Sequence, residues 1–209
     1  MEGVYFYWIG WIYICIVTFF WNKTSLRTAS AIFLFITLIV SPIYIPVFSS
    51  EVSLGFLFLI GVSYGFISQV KVMRLLHIVI AVLAVAAAYA TFQLVAIYDP
   101  VVHLIDGRLM SMAIVVCLSC MLAGKWSFRI LIAVVGLLHG ELLYGLAAIQ
   151  TFTSHAFGSF YVLDVLALST AVIGGGWLLH MLSEHVGEWI KQRKQQPIRN
   201  MIAQEDRIE

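Results

Sequence analysis

Apolar residues run along this chain in seven long stretches, about 4–21, 29–48, 52–70, 75–98, 109–123, 130–151 and 159–182, separated by short polar breaks. A hydrocarbon layer about 30 Å thick needs about 20 residues of helix at about 1.5 Å per residue. The pattern therefore predicts seven transmembrane helices, an all-α polytopic bundle over 1–183 with a polar basic tail at 184–209. Every second break is basic. Lys23 and Arg27, Lys71 and Arg74, Lys125 and Arg129, and the tail together hold eleven of the twelve Lys and Arg residues, and only Arg108 lies on the other side. Cytoplasmic connections retain Lys and Arg, so the N-terminus is expected outside and the C-terminus inside. Asp106 lies two residues from Arg108 and is expected to neutralise it locally.

Individual spans carry further detail. The first has Tyr5, Tyr7, Trp8 and Trp11 at one end and Phe19, Phe20 and Trp21 at the other, as two interfacial belts require. Pro42 and Pro46 remove backbone donors, so the outer third of the second span is expected to kink or unwind. Small residues that admit close helix contact recur as Gly61, Gly65 and Ser68, as Ala81, Ala84 and Ala88, and as Gly136 and Gly140. Gly174, Gly175 and Gly176 mark a bend or tight contact in the seventh span. The chain shows no internal repeat of the kind that builds inverted-repeat transporters.

Composition agrees with a bilayer as solvent: 62% of residues are hydrophobic and 11% charged, with a mean hydropathy of +0.98. A net charge of +1 gives no reason to expect a nucleic-acid partner. Cys15, Cys117 and Cys120 lie within apolar spans and read as packing residues rather than a disulfide framework or redox pair. Glu2 stands where a cleavable signal would be basic, so the first span is expected to persist.

Ionisable groups in hydrocarbon cost about 2.5–3.5 kcal/mol each on insertion scales. Glu141 lies near the middle of the sixth span and Asp164 about five residues into the seventh. His139, Gln150 and Gln93 are the other intramembrane polar candidates. At about 100° per residue, His139 and Gln150 share one face of the sixth span and Glu141 points nearly opposite, with Gly145 and Ala148. Asp164 shares a face with Leu168, Ala171 and Gly175. The helical rise puts it about 8–9 Å nearer the outside than Glu141, too far for direct pairing. Two readings stand open: successive stations for a proton or cation, or hydrogen-bonded packing residues that fix helix register.

His180 and Glu184, one turn apart, and His185 have metal-ligand chemistry but sit at a membrane boundary without a third ligand at suitable spacing, so no metal or other cofactor is expected. Trp189 and Ile190 precede Lys191, Arg193, Lys194 and Arg199, with Pro197 expected to interrupt any helix. This is an interfacial anchor followed by a basic patch suited to anionic lipid, or simply a topology determinant. No span holds a lysine for a retinal Schiff base, and HExxH and P-loop lysine patterns are missing from the sequence.

Met1-Glu2-Gly3, Phe6-Tyr7-Trp8, Trp11 and Thr18-Phe19-Phe20 followed by Lys23 and Arg27 resemble the start of the YphA-type proteins, small multi-pass membrane proteins of Bacillus-like bacteria. The resemblance extends to length and span number. It implies a bacterial cytoplasmic membrane and transfers no activity or site residue. The expected role is a non-enzymatic integral membrane protein working through lipid or protein contacts, including contacts with its own copies. The alternatives are a small proton- or cation-linked transporter using the intramembrane carboxylates and, behind it, an intramembrane enzyme.

Overall fold

A computed structural model describes residues 2–47, 50–99, 105–151 and 156–205; side chains are described except at Met73, Gln150, Thr151 and 190–205. Among these residues are seven α-helices: α1 (Val4–Cys15), α2 (Ser25–Val40), α3 (Leu54–Ile67), α4 (Val72–Tyr98), α5 (Gly107–Leu122), α6 (Trp126–Thr151) and α7 (Phe160–Glu205). A π-helical turn, Ile16–Phe20, follows α1, and three short strands, β1 (Tyr44–Val47), β2 (Ser50–Ser53) and β3 (Ala156–Phe157), form one sheet. The chain divides into two compact units, Met1–Ile173 and Gly174–Glu209.

Three stretches are long and apolar enough to cross a membrane: Arg74–Tyr98, Trp126–Ile149 and Phe160–Trp189, with hydropathies of 2.3, 1.9 and 1.8. The other apolar helices are shorter. The second apolar stretch differs most from expectation: its helix begins earlier, at Ser25, where the Thr24 hydroxyl accepts from Arg27 N, and ends at Val40. Beyond it Pro42 and Pro46 cannot supply helical N–H groups, and Tyr44–Val47 turns into the edge strand β1, where Pro46 is tolerated. β1 pairs antiparallel with β2, which takes the first residues of the predicted third span, and β2 pairs parallel with β3. The predicted helical residues 44–47 and 52–53 are therefore strand.

The core of the first unit centres on α4 against α6. Ile78, Ala81, Val82, Val85, Ala86 and Tyr89 are buried along α4. Gly136 and Gly140 on α6 let the two backbones approach. A methyl at Gly136 would lie 2.7 Å from Val85 Cβ, and one at Gly140 2.8 Å from Tyr89 Cδ1. The small face of α4 is thus Ala81, Ala86 and Ala90; Ala84, predicted to share it, is exposed. A methyl at Gly61 or Gly65 on α3 would meet no atom within 4 Å, so the contact predicted for them is not made within the described residues. Large apolar side chains such as Trp8, Phe19, Phe20, Leu76 and Met121 stand outward, as in a protein bathed by lipid.

In the second unit α7 continues past the predicted end of the seventh span and through Pro197 to Glu205. The proline forgoes one backbone hydrogen bond without ending the helix. Here Gly174 and Gly175 have open space around them.

Candidate functional site

Of the polar residues predicted inside the spans, Asp164 and Gln93 lie towards the end of the first unit that carries the sheet. Asp164 is wholly buried, and its partners come from two other helices. Its Oδ2 accepts from Gly3 N at 2.9 Å and lies 3.0 Å from Arg108 Nη1; its Oδ1 accepts from Phe6 N at 2.8 Å. The sequence of α1 explains the arrangement. Gly3 is the N-cap residue with φ +85°, a backbone that favours glycine, and glycine has no side chain with which to satisfy the helix's first N–H groups. Asp164 does so from another helix, binding both donors that a capping box would cover, and its charge suits the positive end of the helix dipole.

Arg108 is drawn to the same carboxylate. The local neutralisation predicted from Asp106 takes another form: the Asp106 carboxylate caps α5 by accepting from Arg108 N at 2.9 Å. The guanidinium reaches across to Asp164, with its side chain only 14% exposed, and its Cζ lies 5.9 Å from the centre of the Tyr161 ring.

Glu141 is also buried, at 2% exposure, about 15 Å below the sheet end as the rise of α6 measures it. Tyr89 OH donates to its Oε2 at 3.2 Å. Gln93, one turn along α4, donates from Nε2 to the Tyr89 oxygen at 3.3 Å. Its Oε1 accepts from Tyr161 OH at 3.4 Å and from Ser111 Oγ at 3.5 Å, and these two hydroxyls are 3.2 Å apart. Glu141 and Asp164 do not pair, as their depths predict. Both belong to one polar series: Glu141, Tyr89, Gln93, Tyr161 with Ser111, Arg108 and Asp164.

His139 points elsewhere. Its Nδ1 lies 2.8 Å from Val135 O, so Nδ1 carries the proton, and Nε2 accepts from Tyr64 OH of α3 at 2.7 Å. It takes no part in the series, as its opposite face on α6 predicts. The side chain of Gln150 lies outside the described residues, as do those of Lys191, Arg193, Lys194 and Arg199. In the second unit His180 Nδ1 is 3.7 Å from Glu184 Oε2, both more than half exposed, and His185 is exposed on the same helix. Among the described residues no three His, Cys, Asp or Glu side chains converge as a metal site would require.

Sequence reasoning did not single out Tyr89, Ser111 and Tyr161. Tyr89 and Gln93 were within reach, because their one-turn spacing puts them on one face of α4. Ser111 and Tyr161 carry no such signal, since their partners lie on other helices.

The YphA-like integral membrane protein family matches residues 2–198. The chain is similar to the uncharacterised protein YphA of Bacillus subtilis strain 168, with 26% identity over 194 residues, covering 92% of this chain and 96% of that protein. No solved structure matches.

Proposed function

We propose that this chain, which belongs to the YphA-like integral membrane protein family, crosses the bacterial cytoplasmic membrane seven times and acts there without conducting ions, through contacts of its helix faces and basic tail with lipid or other membrane proteins. The distribution of Lys and Arg supports an outer N-terminus and an inner C-terminus. Arg108, the one exception to that distribution, is engaged by Asp164 within the bundle and presents little charge to water. The sheet supports the same frame. β1 is an edge strand among the described residues, and an unpaired strand edge has no place in hydrocarbon, which supports a position for the sheet at the outer boundary of the bilayer. The helices of 14–16 residues, about 21–24 Å long, fit with local thinning or with flanking aromatic residues at the interface. The tail residues Lys191, Arg193, Lys194 and Arg199 would meet anionic lipid on the inner side.

The observation that carries the non-conducting reading is the engagement of Asp164. A carboxylate bound by an arginine and by two backbone N–H groups is a structural tie, poorly suited to releasing and rebinding an ion. On the inner side of Glu141, the α4–α6 contact is filled by buried Ile78, Ala81, Val82, Ile132 and Ala133. The experiment is ion flux into proteoliposomes loaded with a pH-sensitive or cation-sensitive dye. Flux equal to that of empty liposomes is expected. Proton or cation flux that Glu141→Gln abolishes would establish the transporter reading instead.

A further inference from the structure

The series that reaches Glu141 has a direction. Tyr161 donates to Gln93, Gln93 to Tyr89 and Tyr89 to Glu141, so each hydrogen points towards the carboxyl group. Phenols and amides both donate and accept, and the same heavy atoms therefore support the opposite direction equally well. With a proton on Glu141, its carboxyl O–H donates to the Tyr89 oxygen, and Tyr89 turns its hydrogen to Gln93. A half-turn of the Gln93 amide then presents Oε1 to Tyr89 and Nε2 to Tyr161 and Ser111.

We propose that Glu141 is a reversible proton-binding site and that the Tyr89–Gln93–Tyr161 series reverses with its state, carrying that state to the Arg108–Asp164 pair at the sheet end. The net step is uptake of one proton from solution by the carboxylate; no other bond forms or breaks, and the other groups only reorient. The surroundings are suited to this. α4 presents Tyr89, α7 presents Tyr161, α6 itself adds Tyr144 one turn on, and His139 is turned towards α3 and held by Val135 O and Tyr64. α5 supplies Ser111 and, beyond Tyr161, Arg108 against Asp164. Neutral groups that both donate and accept thus separate the buried acid from the ion pair. Reversal turns the hydroxyl of Tyr161, whose ring centre lies 5.9 Å from the Arg108 guanidinium carbon, so the state of Glu141 is felt at the ion pair without movement of the proton itself. None of this requires ion flux, because only one proton is taken up and the other groups reorient in place.

Infrared difference spectra of the full chain in lipid nanodiscs, recorded across a pH titration with ring-deuterated tyrosine as reference, test it. A protonated-carboxyl band that titrates and is absent from Glu141→Gln is expected, together with a phenol band, identified by its loss in Tyr161→Phe, that shifts with the same midpoint. In Tyr89→Phe, which keeps the ring, the carboxyl still titrates and the Tyr161 band stops responding. Gln93→Met does the same and serves if Tyr89→Phe does not fold. The proposal is overturned if no titrating carboxyl band disappears in Glu141→Gln, or if the Tyr161 band keeps its pH response after the series is cut.

Discussion

Replacing Asp164 by Asn tests the tie between α1, α5 and α7. The carboxylate faces three donors, Gly3 N, Phe6 N and Arg108 Nη1, all within 3.0 Å. The amide keeps one acceptor oxygen, turns an NH2 group towards at least one of those donors, and takes the Asp164 charge away from a guanidinium that is 14% exposed. Breaking a buried pair from one side costs about 3–5 kcal/mol, and loss of a helix cap accounts for about 1 kcal/mol. The Asn variant should therefore lose about 3–5 kcal/mol, measured as equilibrium unfolding in mixed micelles of rising SDS fraction with Trp8 and Trp11 fluorescence reporting on α1. Arg108→Met with Asp164→Leu removes both charges and should recover part of the loss. Recovery stays incomplete because Gly3 N and Phe6 N have lost their acceptor, at about 1–3 kcal/mol for buried donors. An Asn variant within about 0.5 kcal/mol of the parent, a change typical of inert surface positions, would refute the assignment of Asp164 as the clasp.

Further outcomes follow from the same geometry. Gly140→Ala brings a methyl within 2.8 Å of Tyr89 and 3.0 Å of Ala86 O and should cost about 1–3 kcal/mol in the same unfolding assay, whereas Gly61→Ala, with open space around it, should be neutral or gain up to about 1 kcal/mol. After removal of Cys15, Cys117 and Cys120, a membrane-impermeant maleimide added to intact cells should label Glu51→Cys, while Lys125→Cys should react only after permeabilisation; the reverse pattern would invert the proposed orientation. The Tyr44 phenol in β1 is pushed above its ordinary value of 10.0 by burial first, then by the charges of Glu2 and Glu51 and of Tyr7. Its ultraviolet titration should accordingly move down in Glu51→Gln. Because the folded state favours the neutral phenol, its contribution to stability is present below the unfolded value and fades as pH rises through the folded one.

The sequence made much of this architecture legible because the signals were local. Helical rise separated Glu141 from Asp164, helical twist turned His139 away from Glu141, and the Gly136/Gly140 spacing marked a close-packed face. Pro42 and Pro46 indicated where α2 would fail but not what replaced it. A strand of four residues has too few alternations to register, and the pairing of β2 with β3 joins segments about a hundred residues apart. The partners of Asp164 were hidden for the same reason. Gly3 and Phe6 are 161 and 158 positions away in sequence, and nothing in the periodicity of either helix announces the other. Asp106 was the near partner for Arg108, but a short carboxylate two residues away is better placed to accept from the backbone at a helix start, which leaves the long guanidinium to find a distant acid.

That distance has a consequence for biogenesis. The first helix is made well before the carboxylate that completes its amino end, which lies 161 positions after Gly3, and β3 arrives just before that carboxylate. Every shorter nascent chain must wait in the bilayer with its first helix uncapped and β2 unpaired on one side. Closure of this end of the molecule therefore waits for the start of α7, and chains truncated before Asp164 should be the ones that membrane quality-control proteases remove.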